Sequence, residues 1–153
     1  MPSLREAQYR HASHYRDVAD EADDIYLKGG EYMLRGLELF DRERYHIEAA
    51  FEWLAPRRDE ALTDALLIEL VNATVYTGLE LRFHPHQCIR WLESQRDAAR
   101  ITKNRQQEGN AIGNLGNAYF RLGEPRKAIE FYEQQLVVND NHFFPLATII
   151  ICQ

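Results

Sequence analysis

Cysteine, proline and glycine are all scarce in this chain. Only Cys88 and Cys152 occur in 153 residues, and neither belongs to a Cys-x-x-Cys pair. That excludes a disulfide scaffold, argues against a structural zinc site and favours a reducing, cytoplasmic setting. Five prolines and eight glycines are too few for the turn-dense pattern of a sandwich or barrel. Clustered positive charge is missing as well: 18 Lys and Arg face 24 Asp and Glu, a net charge of −6. Most of the excess lies in residues 1–60, where 14 acidic side chains face 9 basic ones. Sequence-independent binding to nucleic acid needs the opposite, so no nucleic-acid partner is expected. The start, Met-Pro-Ser-Leu-Arg-Glu, lacks the apolar core of a signal peptide. The longest apolar run, Phe143 to Cys152, is interrupted by Pro145 and Thr148. It is too short to span a bilayer, so no membrane partner is expected either.

Chemistry-bearing motifs are equally thin. There is no Gly-rich loop ending in Lys-Ser or Lys-Thr, and no Ser/His/Asp or Cys/His constellation with a recognisable local motif. The expectation is a protein without cofactor, metal or catalytic residues. His11 and His14 share a helix face with Asp17 one turn on, yet no zinc-protease motif surrounds them, and they read as surface histidines. His84, His86 and Cys88 lack a second ligand pair, so Cys88 reads as a small buried residue. The acidic run Asp20-Glu21-Asp23-Asp24 reads as a hydrated helix face, without the spacing or central glycine of an EF-hand. Arg96, Arg100, Lys103 and Arg105 gather at a helix C-terminus, where cations suit the dipole.

What is present is apolar spacing of three and four residues over most of the length. The first stripe is Tyr9, Ala12, Tyr15, Val18 or Ala19, Ala22 and Tyr26, stopped by Gly29-Gly30. The second is Leu34, Leu37, Phe40 or Asp41, Tyr45, Ala49 and Trp53, ended at Pro56. The third, with Asp59 as its N-cap, runs through Ala61, Ala65, Ile68, Val71 or Asn72, Val75 and Leu79. After His84-Pro85-His86 a fourth helix reads Ile89, Leu92 and Ala99 to about Ile101, and Lys103 to Glu108 reads as a polar connection. A fifth helix spans 110–122, Gly123-Glu124-Pro125 is a tight turn, and a sixth runs from Arg126 to about Val138. The expectation is six helices in three antiparallel pairs.

Residues 109–136 carry the most specific text, G-N-A-I-G-N-L-G-N-A-Y-F-R-L-G-E-P-R-K-A-I-E-F-Y-E-Q-Q-L. Leu115-Gly116, Tyr119, Ala128 and Tyr132 stand where a tetratricopeptide repeat places its Leu-Gly pair, Tyr, Ala and late aromatic, and the segment 105–138 resembles such a repeat. Gly116 and Ala128 are small where paired helices cross closely. Leu115, Tyr119, Ile129 and Tyr132 fill the seam and the junction with the neighbouring pair. Gln135 departs from the usual small residue, and Asp140 from the usual closing Pro. Ala128-Ile129 aligns with Cys88-Ile89 at a spacing of 40, and Cys88 with Ala49 at 39, which makes 9–56 and 59–102 degenerate helix pairs.

The resemblance implies an all-α fold, a right-handed superhelical stack of about three antiparallel helix pairs occupying residues 1–153 as one domain. It also implies a non-catalytic module that binds a peptide or partner protein on its concave face. The residues it points to are Asn110, Asn114, Asn117 and Arg121, one stripe of the fifth helix. An Asn amide pairs with a peptide N–H and C=O together and so holds an extended ligand. Residues 10–22 and 39–54 further resemble the helical region of NB-ARC-type signalling ATPases, which implies a second reading, a self-assembling or docking regulatory arm. The apolar tail 139–153 leaves three alternatives: folding back on the exposed flank of the last pair, mediating a homodimer, or reflecting truncation.

Overall fold

A computed structural model of the chain describes residues 1–58 and 60–140. Among these, every regular element is helical: α1 (Leu4–Leu27), α2 (Glu31–Leu54), α3 (Ala61–Asn72), a π-helix (Val75–Arg82), α4 (Pro85–Ile101), α5 (Arg105–Arg121) and α6 (Pro125–Asn139). The chain opens on a capping box. The Ser3 hydroxyl accepts from the Glu6 N–H at 3.2 Å while the Glu6 carboxylate accepts from the Ser3 N–H at 2.6 Å. Gly29 and Gly30 take φ values of +76° and +57°, the left-handed backbone that lets α1 turn back into α2 within three residues. Pro85 and Pro125 each open a helix, where their missing N–H costs nothing.

A continuous core runs from Ala12 in α1 to Ala118 in α5. Its centre is an aromatic column, with Trp91 of α4 stacked on Phe51 of α2 at 4.1 Å between centroids. Phe83 lies 4.7 Å from Trp91 and 5.7 Å from Phe40. The α-helices consecutive in the chain pack together, α1 also touches α3, and the π-helix packs on α1 and α2. Bidentate ion pairs brace this arrangement from outside, Arg90 with Glu52 and Arg82 with Asp41. Both pairs are exposed and contribute little to stability.

Several expectations change. The apolar stripe of α2 is displaced: Leu34 is 62% and Tyr45 78% exposed, while Gly36, Phe40, Ile47, Ala50, Phe51 and Leu54 are buried. The reason is that α2 is covered from two sides, by α1 at Gly36 and by the aromatic column at Phe40 and Phe51, so one narrow stripe does not describe it. Helix α3 is buried almost all round, between α1, α2 and α4, which leaves Ala61 and Ala65 outside and weakens its period. It also stops at Asn72 and does not reach Leu79. The chain then widens into the π-helix, whose i→i−5 bonds include Leu79 N–H to Thr74 O at 2.7 Å and Phe83 N–H to Gly78 O at 2.8 Å. Asp59, expected to cap α3, lies outside the described residues, as does the tail beyond Asp140. The polar connection expected over Lys103 to Glu108 shrinks to Thr102–Asn104, because the Asn104 side chain caps α5 by accepting from the Gln107 N–H.

Candidate functional site

Helix α5 is built with three different faces. Ile112, Leu115 and Ala118 are fully buried. Gly109, Gly113 and Gly116 face α6 so closely that a Cβ at Gly116 would lie 2.5 Å from the Tyr132 ring. At Gly113 it would lie 2.3 Å from the Gln135 amide, which explains the departure at Gln135. The large residue on α6 is accommodated by a missing side chain on α5. The third face is the stripe Asn110, Asn114, Asn117 and Arg121.

That stripe borders a groove of about 610 Å³ between the π-helix, α4, α5 and the start of α6. Leu79, Leu81, Leu92, Phe120 and Ile129 give it apolar walls, and Asn114, Asn117 and Arg121 supply polar groups. Asn110 is exposed nearer the α5 N-terminus and does not line the groove. The Asn117 Oδ1 accepts from the Tyr132 hydroxyl at 2.7 Å, which leaves its amide N–H groups available. Asn114 is half-buried and lines the groove. Arg121 has a different occupation. Its guanidinium donates to the carbonyls of Glu80 at 3.0 Å and Leu79 at 2.8 Å, and to Cys88 Sγ at 3.4 Å. It therefore ties α5 to the end of the π-helix and shapes the groove floor.

The other end of the π-helix is held by a residue that sequence reasoning misplaced. Asp23, expected on a hydrated face, is buried. Its carboxylate accepts from the N–H groups of Tyr76 at 2.9 Å and Thr77 at 2.8 Å and from the Thr77 hydroxyl at 2.5 Å. Burial pushes its pKa above the usual carboxylate value, against the opposing pull of these hydrogen bonds. Asp20, Glu21 and Asp24 do stay exposed. The available signal was position: Asp23 falls beside Ala19 and Ala22 on the inward stripe of α1. Cys88 is buried as expected, and its thiol bonds to the Leu79 carbonyl at 3.1 Å. Burial raises its pKa in spite of the nearby Arg121, so the thiol stays protonated.

Comparisons of the chain with protein-family models, curated proteins and solved structures found no match. Among the described residues no group of three or more His, Cys, Asp or Glu is arranged to hold a metal ion. His11 and His14 join His46 of α2 around Tyr15, with Tyr15 stacked on His46 at 4.7 Å. Burial, together with the charges of His46 and His14, lowers the His11 pKa. Of the basic cluster, Arg100 pairs with Glu108 and Arg96 with Asp97. No helix of the described residues is long and apolar enough to cross a membrane.

Proposed function

We propose that the chain is a tetratricopeptide-type stack of three antiparallel helix pairs, α1–α2, α3–α4 and α5–α6, wound as a right-handed superhelix. In this reading it serves as a non-catalytic module that holds an extended segment of a partner protein. The observation that carries the reading is the groove beside the last pair, where Asn114 and Asn117 lie between apolar walls. Such a surface suits main-chain hydrogen bonding along a peptide, with its alternate side chains seated against Leu81, Phe120 and Ile129. The three-residue connections within α1–α2 and α5–α6 and the close Gly116–Tyr132 contact support the repeat reading, while the π-helix lengthens the connection within α3–α4 to residues 73–84.

The test is selection of peptides from a random display library against the folded chain, followed by titration against Asn114→Ala/Asn117→Ala. Loss of two amide contacts at about 1 kcal/mol each predicts binding weaker by about thirtyfold at unchanged helix content. Groove residues should also show the largest amide shifts in NMR spectra. Selected peptides that bind the double variant equally well, or that shift residues outside the groove, would refute the assignment.

A further inference from the structure

The two ends of the structure are finished differently. The outer stripe of α1, Arg10, His14, Asp17, Glu21, Asp24 and Lys28, is polar and exposed throughout. Helix α6 has Ala128 as its one buried residue, and Ile129, Leu136 and Val137 are 55%, 45% and 69% exposed. The 40-residue spacing puts Ile129 in register with Ile89 of α4, which is buried because α4 is packed between α3 and α5. Among the described helices α6 packs chiefly on α5, so the flank that runs from Ile129, at the edge of the groove, to Leu136 carries exposed apolar residues without a stacking partner among those helices.

We propose that this flank pairs with the same flank of a second copy of the chain, the two α6 helices running antiparallel about a two-fold axis. Ile129 and Leu136 lie on one face, seven residues or about 10.5 Å apart along the axis. An antiparallel copy centred between them sets Ile129 of one chain against Leu136 of the other, twice. Arg126 and Asp140 lie about one turn beyond each of them on the same stripe, with opposite charge. The same operation brings Arg126 of one copy to Asp140 of the other at both ends of the contact. A head-to-tail arrangement fails this test, because it would press Ile129 and Leu136 onto the charged stripe of α1 and strip those charges of water. Glu133, in the middle of the stripe, faces its own counterpart across the axis. That repulsion limits the affinity and marks the geometry.

Sedimentation of the full chain over a range of concentrations tests the pairing. The expected result is a reversible monomer–dimer equilibrium, weakened about tenfold or more by Leu136→Glu with unchanged circular dichroism. Arg126→Asp should weaken it, a second change Asp140→Arg should restore it, and Glu133→Gln should tighten it. These three positions are exposed, so they carry the test even where Leu136→Glu unfolds. Leu136 lies outside the groove whereas Ile129 lines its wall, so the test changes Leu136 and leaves Ile129 in place, which keeps a failure of pairing distinct from a failure of peptide binding. A monomer at every concentration overturns the proposal, as does a charge reversal without rescue. A chain ended at Asp140 that dimerises while the full chain does not overturns it too, since residues 141–153 would then be the occupant.

Discussion

Replacing Gly36 by Ala probes how closely α1 and α2 are packed. A Cβ there would stand 2.6 Å from the Ala22 carbonyl oxygen, 2.7 Å from the Tyr26 nitrogen and 2.9 Å from the Tyr26 Cα. All three are backbone atoms of α1, so no side chain can rotate away. Ordinary contact begins at 3.4 Å, and relief from 2.6 Å therefore opens the two helices by about 0.8 Å at this point. A gap of that size forfeits about a quarter to a half of the dispersion energy of the atoms that line it. Ala12, Ala19 and Ala22, all fully buried on α1, are the residues exposed to that loss. Overpacking of this kind costs about 2–3 kcal/mol, and Ala returns about 1 kcal/mol through its better helix propensity. The net destabilisation is about 1–2 kcal/mol, a fall in Tm of about 2–8 °C for a chain of this size. Thermal unfolding followed by far-ultraviolet circular dichroism measures it. A variant as stable as the parent, or more stable, would show that the helices are not held at this distance.

Two further outcomes concern ionisable side chains of α1, the buried Asp23 and the exposed His11. Asp23→Ala leaves the N–H groups of Tyr76 and Thr77 without their acceptor, and should cost about 2–3 kcal/mol in denaturant unfolding. A cost near zero would mean that the π-helix does not depend on this cap. The second outcome is a pH dependence. The His11 pKa is lowered below 6.5 in the folded chain, so the unfolded chain takes up its proton first as pH falls. Its contribution is fully present above pH 6.5 and is lost on acidification below it, and Tm measured from pH 7 downward should decline less in His11→Gln. Parallel curves for parent and variant would refute this. Asp23 works in the other sense: its raised pKa favours the protonated folded form, so its contribution falls as pH rises through the window above 3.8.

Much of the secondary structure was legible in the residues. The Gly29-Gly30 pair, Gly123 and the prolines at 85 and 125 set helix boundaries by local backbone chemistry, which does not depend on what packs where. The glycine at 116 and the alanine at 128 likewise announced a close crossing. The stripe Asn114, Asn117 and Arg121 was visible as a face, since helical spacing alone puts those residues on one side of α5.

Packing decided the remainder, because each of these features depends on a residue far away in the chain. The break after Asn72 was invisible locally, since it is held from one end by Asp23, more than fifty residues earlier, and from the other by Arg121, about forty later. The same distance separates the reading of Arg121 as a ligand contact from its bonds to the Leu79 and Glu80 carbonyls. The buried face of α2 shifted because two neighbours cover it, a circumstance that one-dimensional periodicity cannot express. Ile129 was expected in a junction and is exposed, because burial needs a partner as well as an apolar side chain. The sequence by itself thus determined the helical character of the described residues, with their turns and polar stripe. Only the tertiary structure decided where the π-helix forms, which Asn residues border a groove, and which apolar residues of α6 lack a partner among the described helices.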